Sequence, residues 1–160
     1  MRLFLTAALL LAGAVFIPAA PVFLATNAET GATIFCRPLP GDERVALVFT
    51  HSMYGGDVRE VYAAGDDGRL RRVEMTTANA AAAEYYAYDG AVSRVGDRYR
   101  VEVPPASFDE IVVRVDRIGA QRLVWDGGDF DLLTAAGEGA PVRLTVERRS
   151  LVDRIFGVDC

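Results

Sequence analysis

Apolar and polar residues alternate through most of the chain, and clusters of Gly, Asp, Asn or Pro break the alternation about every ten residues. That rhythm belongs to short strands joined by turns, each strand with one buried and one solvated face. Asn27-Ala28-Glu29-Thr30-Gly31 predicts a turn between strands over residues 22–25 and 32–36. Further strands are predicted over residues 45–50, 58–63, 70–77, 99–103, 111–116, 122–125 and 142–147. Asp126-Gly127-Gly128 supplies a tight hairpin turn. The pattern predicts an all-β fold, an antiparallel β-sandwich or barrel. Two segments carry helical signals instead. One is the Ala-rich stretch 78–83. The other is the tail 150–160, where Leu151, Val152, Ile155 and Phe156 recur at helical spacing and predict a short C-terminal helix.

The start of the chain breaks the rhythm differently. Residues 3–17 run apolar and uncharged behind Arg2, and Pro18 and Pro21 follow. A positive start before a short apolar run predicts an N-terminal helix acting as a secretory signal peptide or an uncleaved membrane anchor. Ala19 and Ala20 are small, but no clean A-x-A site precedes Pro21, so both fates stay open. No Cys closes the run, which excludes a lipoprotein leader. The positive-inside rule then places the rest outside the cytoplasm, either free in the periplasm or held at the inner membrane. The chain divides into a leader over 1–21, a β domain over 22–149 and a tail over 150–160.

Composition narrows the function classes. The length of 160 residues suits one β domain after the leader. Net charge is −5 and no Lys is present, which argues against binding nucleic acid through its phosphates. One His and two Cys cannot build a His/Cys zinc cluster, and no cofactor is expected. Asp66-Asp67 and the group Asp126, Asp129 and Asp131 lack EF-hand spacing and read as turn residues rather than calcium ligands. Cys36 and Cys160 either form a disulfide in an oxidising compartment or remain free thiols. The aromatics Tyr85, Tyr86, Tyr88, Phe108 and Trp125 either line a ligand groove or fill a β core.

One constellation carries candidate chemistry, the stretch from Phe49 to Glu60. If Gly55-Gly56 forms a two-residue hairpin loop, Ser52 pairs with Arg59 and His51 with Glu60. The imidazole and carboxylate then meet on a mostly apolar face shared with Leu47, Phe49, Met53, Val58 and Tyr62. His51, Ser52, Arg59 and Glu60 are therefore the candidate binding residues. The His–carboxylate pair is either a polar binding or proton-handling spot, or a satisfied pair that fixes hairpin register. No catalytic set is predicted. His51 and Ser52 are adjacent on a strand and point to opposite faces, and no nucleophile elbow or H-E-x-x-H run is present.

The leader, the Asn27–Gly31 turn, the run Phe49-Thr50-His51-Ser52-Met53 with Glu60 downstream, Arg122-Leu123-Val124-Trp125 and Val142-Arg143-Leu144-Thr145-Val146 together resemble the domain of unknown function 1850 family. The likeness spans nearly the whole chain. Asp57 stands where that family usually has Pro, and residues 76–83 replace its Gly-rich segment. Members are short exported or anchored proteins accompanying TRAP transporters of the TAXI type. The resemblance implies a non-enzymatic, periplasm-facing accessory protein for organic-acid uptake. Its partner would be the TRAP permease or the TAXI binding protein. An independent envelope β domain binding a small ligand or glycan is the alternative.

Overall fold

The alternation produces two antiparallel sheets that share one apolar core. The structure, a computed structural model, describes residues 20–87 and 90–149. In chain order the strands are β1 (Ala20–Asn27), β2 (Thr33–Pro38), β3 (Val45–Thr50), β4 (Asp57–Ala64), β5 (Leu70–Thr77), β6 (Val92–Val95), β7 (Arg98–Val101), β8 (Ala106–Phe108), β9 (Ile111–Arg114), β10 (Arg122–Trp125), β11 (Gly128–Asp131) and β12 (Pro141–Arg149). Two helices accompany them, α1 (Ala80–Ala87) and α2 (Leu132–Ala136). The smaller sheet runs β2-β1-β12-β9. The larger runs β11-β10-β3-β4-β5-β7-β6, with β8 beside the first half of β5. The predicted leader helix and C-terminal helix fall on residues outside those described.

The inward rows of the two sheets meet. Phe23, Val142 and Leu144 from the smaller sheet pack with Val45, Leu47, Tyr62 and Leu123 from the larger one. Each large side chain so buried contributes roughly 1.5–3 kcal/mol. A second cluster of Val58, Met75, Ala83, Ala87 and Val101 fastens α1 to the larger sheet. The Ala run favours helix intrinsically, and Asn79 starts it. Its Oδ1 accepts the amides of Ala81 at 2.8 Å and Ala82 at 3.2 Å. The predicted helical turn is thus present, starting at Ala80 and running four residues past the predicted stretch, to Ala87.

Two turns form as their residues require. Asn27 Oδ1 accepts the amides of Glu29 and Thr30. Trp125 pairs with Gly128 across Asp126-Gly127, with Gly127 at φ 89°. The β3–β4 connection departs from expectation. Thr50 pairs with Asp57 and Leu47 with Glu60, so the loop comprises residues 51–56, and His51 and Glu60 are not cross-strand partners. Gly55 and Gly56 do take positive φ, 65° and 73°. They serve a wider turn in which His51 N donates to Gly56 O at 3.0 Å and Gly55 N to His51 O at 2.9 Å. The register is displaced by an even number of residues. Leu47, Phe49, Val58, Glu60 and Tyr62 therefore keep the shared face that alternation assigns them.

A bulge in the β4–β5 ladder between Val61 and Tyr62 has a larger consequence. Met75 faces the core ahead of it, and Leu70 and Arg72 face the core beyond it. The extra residue swaps which row of β5 points inward. It thereby brings an arginine to Glu60.

Candidate functional site

At the His51 end of the larger sheet lies a cavity of about 350 Å³. Leu47 and Phe49 of β3, Glu60 of β4, Tyr86 of α1 and Ile111 and Val113 of β9 form walls from both sheets. Loop residues Thr50, His51, Ser52, Asp116, Gly119 and Gln121 complete its lining.

His51 is 6% exposed. Its Nδ1 accepts the amides of Met53 at 3.2 Å and Tyr54 at 3.3 Å, so that nitrogen carries no proton and the neutral ring keeps its proton on Nε2. The imidazole caps its own loop as an Asx side chain would. Three tyrosines surround it, with ring centroids at 5.0 Å for Tyr54, 5.3 Å for Tyr85 and 5.5 Å for Tyr86. Asn79 joins the loop to α1: its Nδ2 donates to Tyr54 O at 2.8 Å while its Oδ1 caps the helix.

Glu60 is held from behind. The Tyr62 hydroxyl donates to its Oε2 at 2.6 Å, and Arg72 Nη1 lies 3.6 Å from its Oε1. Burial, reinforced by the charge and hydrogen bond of Glu60, pushes the Tyr62 hydroxyl well above the ordinary phenol range, so it remains a donor. The Arg72 guanidinium also lies over the Phe108 ring, 5.8 Å from its centroid.

The opposite rim is a loop organised by Gln121. Its Oε1 accepts Asp116 N at 3.0 Å and its Nε2 donates to Arg114 O at 3.1 Å. Asp116 Oδ1 accepts Gly119 N at 2.6 Å. A side chain at Gly119 would run into the Gln121 amide, and Gly119 O accepts Thr50 N at 2.7 Å, which docks this loop on the end of β3.

Of the four candidate residues, His51, Ser52 and Glu60 line the same cavity. Among the described residues no hydrogen bond or ion pair joins His51 to Glu60. Arg59 does not join them. As the neighbour of Glu60 it faces the other way and lines a cleft of about 640 Å³ on the outer face, with Arg37, Arg44, Glu74 and Trp125. Cys36 is disulfide-bonded, and Cys160, the partner expected for it, lies outside the described residues. Tyr86 lines the cavity, Tyr85 stands at its edge and Phe108 lies under Arg72. Tyr88 is outside the described residues.

Asp67 and Asp131 serve as turn and cap acceptors, for Arg69 N and Thr134 N. Among the described residues no group of three His, Cys, Asp or Glu side chains is placed to hold a metal ion. Asp116, Gln121, Tyr54 and Arg72 were not singled out by pattern, and Tyr62 was placed only as a member of the apolar face beside Glu60. Asp116 with Gly119 three residues on was a readable turn signal. Comparison with family models, curated proteins and solved structures finds no match.

Proposed function

We propose that this chain is a non-enzymatic, partner-binding module of the cell envelope that assists a TAXI-type TRAP transporter in organic-acid uptake. The observation that carries the contact role is where its apolar surface lies. Met53, Tyr54, Tyr85 and Ile118 are 70%, 40%, 56% and 66% exposed. Tyr54 and Tyr85 stand against the His51 ring, and Met53 and Ile118 adjoin the lining residues Ser52 and Gly119 in the chain. Grouped exposed apolar residues around a concavity are the usual form of a protein contact. The resemblance to the domain of unknown function 1850 family supports the permease or the TAXI binding protein as the partner. The apolar leader behind Arg2 supports a periplasmic or inner-membrane-anchored location. One feature supports a non-catalytic role: His51 Nδ1 is occupied by two backbone amides and is not available as a base.

The test is co-purification. The tagged chain, co-expressed with a TAXI permease and binding protein, should retain one of them through detergent extraction. A Met53→Asp/Ile118→Asp variant should lose it, and Val95→Asp, exposed on β6 and next to no lining residue, should not. Equal recovery with the rim variant, or none with wild type, overturns the contact role. Alkaline phosphatase fused after Val146 should be active; an inactive fusion with an active cytoplasmic reporter at the same point overturns the export reading. The cavity itself favours a second reading, an independent envelope protein binding a small ligand or glycan. Glycan binding without recovery of either transporter protein would select it.

A further inference from the structure

We propose that the cavity receives a positively charged side chain, a lysine or arginine presented together with a carbonyl group, and excludes carboxylates. The inference rests on the contact role above and names what the partner must insert. The cavity lining contains two charged residues, Glu60 and Asp116, both acidic, and no arginine. Arg72 stands behind Glu60 and offsets that one charge. Asp116 spends Oδ1 on Gly119 N, and no ion pair reaches it among the described residues. The cavity therefore holds negative charge that protein cations do not cancel. An acidic concavity with apolar walls concentrates cations and repels anions.

His51 adds a second requirement. With Nδ1 accepting two amides, its Nε2 carries the proton; among the described residues that N–H has no protein acceptor and is not sealed from solvent, so a ligand acceptor can reach it although the residue is only 6% exposed. An ammonium or guanidinium has no lone pair to offer it. A carbonyl on the same molecule does. Tyr86 lines the cavity and Tyr54 and Tyr85 stand against the same imidazole, and aromatic rings attract a cation where a carboxylate would be repelled. A basic residue in a peptide satisfies all three features: the charge meets Asp116 and Glu60, the stem meets the apolar walls, and the carbonyl meets His51. The transported organic acid satisfies none of the charge requirements. On this reading the accessory protein grips its partner and does not hold the cargo.

His51 is the only histidine, so its ring resonances report the site directly. The probes are N-acetyl-arginine amide, N-acetyl-lysine amide, N-acetyl-norleucine amide and N-acetyl-glutamate amide. One or both basic compounds should shift the His51 signals saturably. Norleucine should bind about tenfold more weakly or worse, the effect of losing one charge interaction of ordinary size, and glutamate should not bind. Asp116→Asn keeps an acceptor for Gly119 N and should weaken the basic compound about tenfold, one interaction step. Glu60→Gln, which keeps an acceptor for Tyr62, should act in the same direction. Equal binding of norleucine, binding of glutamate, no saturable response to either basic compound, or unchanged affinity in Asp116→Asn overturns the inference.

A tripeptide with arginine between two leucines distinguishes the sources. If Met53→Asp weakens the tripeptide but not the single amino acid, the cation comes from a partner protein. If neither is weakened, it is a free basic amino acid. Loss of transporter recovery in the rim variant together with no response to cations sinks this inference and leaves the contact role standing. A cation response without recovery does the reverse.

Discussion

Glu60 and Arg72 should be energetically coupled, so that removing both costs less than the sum of removing each. The two groups are 3.6 Å apart and only 13% and 16% exposed. At an effective dielectric near 20 the attraction over that distance is about 4–5 kcal/mol. Desolvation offsets much of it, leaving a coupling of roughly 1–3 kcal/mol. Glu60→Gln preserves an acceptor for the Tyr62 hydroxyl, so its loss isolates the charge. Arg72→Met retains an apolar stem over Phe108. Each single variant should cost about 2–3 kcal/mol because it strands the other buried charge. The double variant should cost about 1–3 kcal/mol less than the sum of the singles. Urea titration followed by the single tryptophan, Trp125, measures all four proteins. The slopes should agree, so that midpoints alone carry the difference. Singles that add to within about 0.5 kcal/mol would show that the bulge in β5 does not bring Arg72 into energetic contact with Glu60.

Three further outcomes are expected. Tyr62→Phe removes the donor to Glu60 and should cost about 1–2 kcal/mol at neutral pH. Because burial raises the Tyr62 hydroxyl above its unfolded value of about 10, its stabilisation holds below that pH and is lost as pH rises through the higher folded value. Wild type should therefore lose stability faster than Tyr62→Phe in alkaline titration, and parallel curves refute this. His51→Phe keeps the ring contacts but not the Nδ1 acceptor, so hydrogen exchange at the Met53 and Tyr54 amides should accelerate, whereas unchanged exchange denies the cap. Asp131→Ala should cost about 1 kcal/mol by uncapping α2. The Thr134 amide holds the Asp131 carboxyl below the usual carboxylate range, so this difference persists above pH about 4 and closes as pH falls through the folded value.

Alternation or a β-rich apolar run was enough to read β3, β5 and β10 and most of β1, β4, β9 and β12. It failed for β6, which has no buried row, and for β8 and α2, which are too short to display a period. The hairpin failed for a different reason. Two glycines at positive φ are consistent with several loops, and the choice was made by an imidazole that accepts two amides, a tertiary detail without a sequence period. Leu70 and Met75, both buried yet of opposite parity on β5, were a legible sign of the bulge. The convergence of β9, the Gln121-organised loop and α1 on His51 is long-range, and one sequence holds no record of it. Glu60 kept its predicted face because the register error was even, whereas His51 and Ser52, expected on opposite faces of a strand, line the same cavity because both lie in the loop beyond β3. Arg59 was placed with them only by the false cross-strand pairing.

Asn79 ties two positions into a single inherited choice. Its side chain is asked for an acceptor at one end and a donor at the other, both at fixed reach. Asp supplies only acceptors, Ser is too short to span both, and Gln is one methylene too long. The backbone beside it is equally constrained, since any side chain at Gly56 would press on the Asn79 Cβ from 2.9 Å. While position 79 carries a Cβ, position 56 has no room for one, and its φ of 73° favours glycine as well. In a library randomised at both, selection for folded protein should return Asn79 in company with Gly56, and frequent recovery of either alone would mean that loop and helix evolve as separate parts.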